Sequence, residues 1–177
     1  MRPLFLCLAL TSVGCLNFGK VDDAKIPGEL LGTYRVQGTL AESDCGEGAF
    51  GSTNEWDFDV KLSRFHEDLY WLNGREVIAG SIDPDGVTFS FSTRVEGAVT
   101  PAARGRAGCT LSRSDAAKGR LSSETLDVEG FEATLTFAYS ALADSNCEEL
   151  VAEPEGAPTA LPCSMTYDLV GSRTSAE

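Results

Sequence analysis

The chain has 177 residues, and its 27 acidic side chains outnumber 14 basic ones to give a formal net charge of −13. A phosphate polymer or an anionic bilayer surface repels such a body, which argues against nucleic acid as a partner and against the folded part lying flat on a membrane. The length suits one domain able to bury a sizeable core. In chain order, the first element is Arg2, an unbroken apolar run from Pro3 to Leu10, and then Thr11-Ser12-Val13-Gly14-Cys15. A run of about ten residues is too short for the roughly 20 that a bilayer-spanning helix needs, and it has the length of an export-signal core.

The small residues before Cys15, with Gly14 immediately ahead of it, resemble the lipobox of bacterial lipoproteins, Ser12 standing where that family prefers Leu. The resemblance implies cleavage before Cys15 and diacylation of its thiol. Two acyl chains give stable anchoring where one is marginal. By likeness to the enterobacterial sorting rule, Leu16 after the cysteine implies the outer membrane of the cell envelope, with a periplasmic or surface-exposed domain. Three segments follow: a signal peptide over 1–14, a lipidated N-terminus and tether over 15–29, and a folded domain over 30–177. The tether carries Gly, Pro and charge without a clean period, and a flexible chain of that length reaches about 20 Å.

From there the side chains alternate with period two. Tyr34, Val36 and Leu40 alternate with Thr33, Arg35, Gln37 and Thr39; Trp56, Phe58, Val60 and Leu62 alternate with Glu55, Asp57, Asp59 and Lys61. Leu69 to Leu72 runs into Asn73-Gly74, a type I′ hairpin signal, and Glu76 to Ile82 is the return strand. Asp83-Pro84-Asp85-Gly86 is a second turn, leading to Phe89, Phe91, Thr93 and Val95 on one face. A Gly/Ala/Arg-rich stretch over 97–106 interrupts the pattern before Cys109 and Leu111. Phe131, Leu135, Phe137 and Tyr139 form a further strand, and Met165, Tyr167 and Leu169 the last. Nine candidates result, of which 119–126 is the weakest. Dropping it leaves an all-β fold, a single antiparallel barrel of about eight strands, with a sandwich as the alternative. A membrane-spanning barrel fits less well, because segments such as 69–72 and 76–82 fall short of the 9–11 residues its strands require.

Cys7 leaves with the signal and Cys15 with the lipid, so Cys45, Cys109, Cys147 and Cys163 remain for two disulfides in an oxidising compartment. Up-and-down alternation puts all four at one end of the barrel. Three connectivities are possible. Loop closure favours Cys147 with Cys163, which would order the acidic loop holding Glu148, Glu149, Glu153 and Glu155, and leaves Cys45 with Cys109 by exclusion.

Gly32-Thr33-Tyr34 at the start of the first strand resembles the Gly-x-Trp opening of lipocalin-type barrels, with Tyr in place of Trp. That family packs an Arg from the end of the final strand across the aromatic ring, and Arg173 sits where such a residue could be. The resemblance implies an apolar cavity for a small hydrophobic ligand. The inward faces, however, carry Trp56, Phe58, Phe89, Phe91, Phe131, Phe137 and Tyr167, enough to fill a small barrel, and a solid core is expected.

Little here points to catalysis. His66, the single histidine, falls in the Phe65-His66-Glu67-Asp68 turn, and no Gly-x-Ser-x-Gly, His-Glu-x-x-His or Ser-x-x-Lys occurs. Asp83-x-Asp85-Gly86 opens like a calcium loop but lacks the later ligands, and no Cys-x-x-Cys pair suggests zinc. The expectation is a non-enzyme without metal or cofactor, anchored to a membrane through its N-terminal lipid. Two function classes remain: a structural or interaction module with a protein partner, or a carrier of a small hydrophobic ligand.

Overall fold

The structure is a computed structural model and describes residues 26–74, 76–103, 107–151 and 156–175. The export signal, Cys15 and the tether up to residue 25 lie outside the described residues. Eight strands form: β1 (Glu29–Ser43), β2 (Glu55–Phe65), β3 (Asp68–Asn73), β4 (Glu76–Ile82), β5 (Thr88–Thr100), β6 (Cys109–Leu121), β7 (Gly130–Ala141) and β8 (Cys163–Ser175). A short helical turn, α1 (Glu148–Val151), lies between β7 and β8. Each strand pairs antiparallel with the next, and β8 pairs with β1, so the sheet closes into an up-and-down barrel rather than a sandwich.

The sequence pattern and the structure part in two places. Of the candidate at 119–126, Gly119–Leu121 end β6 and the remainder connects β6 to β7. The Gly/Ala-rich stretch from residue 97 continues β5 to Thr100, because Gly97 and Ala98 pair with Leu111 and Thr110 of β6. Backbone hydrogen bonding there does not depend on large side chains. Along the wall, pairing is extensive except between β4 and β5, where only Gly80–Ile82 meet Phe89–Phe91.

Inward positions divide the barrel into a filled half and an open half. At the filled end Leu31, Tyr34, Leu62, Leu69, Phe89, Leu121 and Phe131 pack together, and Val128 from the β6–β7 connection plugs the floor. Small residues make that density possible: a Cβ on Gly171 would lie 2.2 Å from the ring of Phe131. Tyr34 donates its hydroxyl proton to the Val128 carbonyl at 2.8 Å. Its partner across the β1–β8 pairing is Arg173, which donates to the Leu31 carbonyl at 2.7 Å and to Asp127 at 3.0 Å. The chain enters β1 at this same end, where Ser63 donates to the Pro27 carbonyl.

All four described cysteines sit at the opposite end and are oxidised, as Cys45–Cys163 and Cys109–Cys147. The pairing favoured by loop closure, Cys147 with Cys163 and Cys45 with Cys109, does not form. Strand adjacency decides the matter. Ser43 pairs with Met165 across β1 and β8, and extending that register by two residues sets Cys45 against Cys163. Cys109 opens β6, whose neighbour β7 leads to Cys147, whereas β1 and β6 are not neighbours.

The floor makes the fold sensitive to alkali. Burial, the largest influence on Tyr34, raises its hydroxyl to about 12. The unfolded chain gives up this proton near pH 10, the folded chain only near 12, so the stability tied to Tyr34 is whole below pH 10 and lost as pH rises to 12. Two pH units correspond to about 2–3 kcal/mol. In denaturation midpoints measured from about pH 8 to 12, Tyr34→Phe should be less stable at neutrality but lose less with rising pH than the parent; parallel profiles would refute the assignment.

Candidate functional site

The aromatic residues expected to fill the barrel do so only in its lower half. Above them lies a cavity of about 450 Å³, lined by Trp56, Phe58, Trp71, Ile78, Phe91, Leu135, Phe137 and Tyr167 and reaching the disulfide end past Ser52, Asn73 and Thr93. The expectation of a solid core is therefore corrected. The rings touch one another around this space: Trp56 lies 4.0 Å from Tyr167 and 5.4 Å from Phe137, and Trp71 lies 5.7 Å from Phe91 and, across the barrel, 5.6 Å from Phe131, centroid to centroid. Such volume and lining match those of small-molecule sites.

A partial cover crosses the mouth. After β1, a single 3₁₀ turn at Ala49–Gly51 carries Phe50 over the rim, where it stacks on Tyr139 with centroids 4.1 Å apart and planes 15° off parallel. Phe50 has φ 56°, a left-handed conformation unusual for an aromatic residue. Its own N–H donates to the Gly156 carbonyl at 2.8 Å, and Thr159 N–H donates to the Cys45 carbonyl at 2.7 Å, which joins the β1–β2 and β7–β8 connections. The two disulfides thus anchor the connections that form this cover.

One charged pair lies among the described residues of this largely apolar wall. Arg113 and Asp115 occupy inward positions of β6, in phase with Leu111, Ala117 and Leu121, and both line the cavity. The pair is bidentate, Nε to Oδ1 at 2.7 Å and Nη2 to Oδ2 at 2.8 Å, and the guanidinium also sits 5.2 Å from the Phe137 ring centre. Asp115, through its hydrogen bonds, holds Arg113 firmly protonated, and burial pushes the neighbouring Tyr139 hydroxyl upward. Sequence reading misses these two residues because charges at alternate positions look like a solvated face. The available signal is phase, since a strand that is apolar at 111, 117 and 121 must also point 113 and 115 inward.

The other residues singled out from the sequence lie elsewhere. His66 is exposed in the β2–β3 turn at the floor end, remote from the cavity by topology. Asp85 caps its own turn, accepting from the backbone N–H groups of Val87 and Thr88 and from the Thr88 hydroxyl, and these bonds hold its carboxyl down at about 2. Asp44 approaches Cys45 and Cys163, but their sulfurs are joined to each other, which leaves no thiolate for a metal. Asp57 and Asp59 face outward, both paired with Arg35. Comparison with protein families, characterised proteins and solved structures finds no match to the chain.

The Arg113–Asp115 pair makes a stability prediction. Removing one partner leaves a charge stranded in the wall, whereas removing both replaces the pair with apolar surface. Arg113→Leu should cost about 1–2 kcal/mol in urea denaturation, below the 3–5 kcal/mol of fully buried pairs because Arg113 is 42% and Asp115 18% exposed. Arg113→Leu combined with Asp115→Leu should recover most of that loss. A double variant less stable than the single one would contradict it.

Proposed function

We propose that the protein is an exported, envelope-tethered barrel that carries or senses a small apolar ligand held in its open half. The cavity of about 450 Å³, walled by aromatic rings above a packed floor, carries this reading. The lipocalin resemblance adds to it: Gly32-Thr33-Tyr34 stands at the start of β1, and Tyr34 faces Arg173 across the closing strands. Anchoring rests on the lipobox-like Cys15. With β1 beginning at the floor end, a lipid at Cys15 would tether the barrel by its closed end and leave the mouth pointing away from that attachment. Ligand would then exchange with the aqueous space or with a docked protein, not directly with the bilayer holding the anchor.

Native mass spectrometry of protein isolated from a bacterial envelope tests both parts. The expected spectrum shows cleavage before Cys15, added acyl mass, and a co-purifying apolar molecule that dissociates on activation. An unmodified N-terminus would remove the anchor, and binding would fall if neither native nor solvent-extracted samples released any ligand.

A second reading, the structural or interaction module, draws on the end of the β5–β6 hairpin. There Val95 and Val99 are 53% and 47% exposed, on a stretch of β5 that β4 does not pair. Under it, Val99→Lys should abolish co-purification of one envelope protein seen reproducibly with the parent. Under the carrier reading the same change leaves ligand binding intact.

A further inference from the structure

The ion pair inside the barrel says more about the ligand than the apolar wall does. A purely hydrocarbon occupant has no use for it, and an apolar pair of similar volume would fit the wall at less desolvation cost. Asp115 engages two of the five N–H donors of Arg113, which leaves donors for the neighbouring Tyr139 and for whatever enters the cavity. The site therefore presents hydrogen-bond donors with no net charge.

Charge argues against an ionic ligand from either side. A carboxylate on Arg113 would lie beside Asp115. It would also pass connections whose charged residues, among those described, are all acidic: Asp44, Glu47, Asp144, Glu148 and Glu149. An ammonium would meet Arg113 and compete for a carboxylate already held at two points. Flat rings, by contrast, match walls built from Trp56, Phe58, Trp71 and Phe137, where offset and edge-on packing adds to simple area burial.

Building on the cavity reading above, we infer that the ligand is an uncharged polycyclic or conjugated aromatic compound whose carbonyl oxygen accepts a hydrogen bond from Arg113. The rings occupy the aromatic walls, the carbonyl lies on the β6 side, and Phe50 closes over the outer edge. Asp115 holds the guanidinium at two points and offsets its charge, so that a neutral acceptor is preferred over an anion.

Three matched probes separate the alternatives: 1-acetylpyrene, 1-ethylpyrene and 1-pyrenecarboxylate, titrated into the mature protein with fluorescence of its two tryptophans as readout. Both, Trp56 and Trp71, line the cavity. Acetylpyrene should bind about tenfold more tightly than ethylpyrene, the worth of one hydrogen bond to a charged donor, and the carboxylate most weakly. In the Arg113→Leu, Asp115→Leu double variant, ethylpyrene binding should persist while the advantage of the acetyl compound shrinks to about twofold or less. Persistence of ethylpyrene binding also reports that the variant is folded. Equal binding of the acetyl and ethyl probes to the parent, tightest binding of the carboxylate, or an acetyl advantage that survives in the double variant would each overturn the ligand class and leave the cavity reading standing. Binding of none of the three would overturn both.

Discussion

Closure of β8 on β1 is the constraint from which the rest of this barrel follows. The two strands are remote in sequence, and their register is fixed at both ends by different chemistry. At the floor, Arg173 reaches the Leu31 carbonyl and stands opposite Tyr34; at the mouth, Cys45 and Cys163 continue the register as a covalent bond across 118 residues of chain. In the loop-entropy account, a link of that span lowers the entropy of the unfolded chain by an amount worth about 5 kcal/mol. With the seam fixed, inward and outward faces of every strand are assigned, because a slip of one residue would turn the aromatic set out to solvent.

The same closure divides labour along the barrel axis. The floor is packed from all sides, with Val128 folded underneath and phenylalanine rings lying over small residues such as Gly171. Dense packing of this kind supplies stability and leaves no room for a guest. The upper half forgoes part of that contact: its rings line walls around empty volume, its wall contains an ion pair, and an aromatic residue at the rim adopts a left-handed backbone conformation. Local departures from optimal packing and backbone geometry cluster where binding is proposed, while the other end offsets them.

Much of this architecture was legible in the side chains. Alternation around Tyr34, Trp56, Phe89 and Phe131 gave the inward faces, and discounting the weak segment at 119–126 gave eight strands and cysteines gathered at one end. Loop length alone points to the wrong cysteine connectivity, because strand neighbourhood outweighs a short loop. In an eight-stranded meander, Cys45 with Cys163 and Cys109 with Cys147 both link adjacent strands, whereas Cys45 with Cys109 does not. The hollow was not legible, since composition counts aromatic volume but not how the rings share the interior between floor and mouth. Arg113 and Asp115 were hidden for a related reason: a charge on an inward position looks the same in sequence as a charge on the surface.

The sparse bonding between β4 and β5 gives the wall an unequal strength. Three residue pairs hold that boundary, while β5 and β6 are joined over nearly their whole length. Neither disulfide crosses it, and the β3–β4 hairpin on its far side contributes Trp71 and Ile78 to the cavity. Segments with few hydrogen bonds open at lower free-energy cost than the globular whole. Local opening of the wall is therefore expected first at this boundary, before the floor or the stitched seam. Under the proposed carrier reading, tightness of binding and speed of exchange would be set by different parts of one barrel, the aromatic walls fixing the first and this thin joint the second.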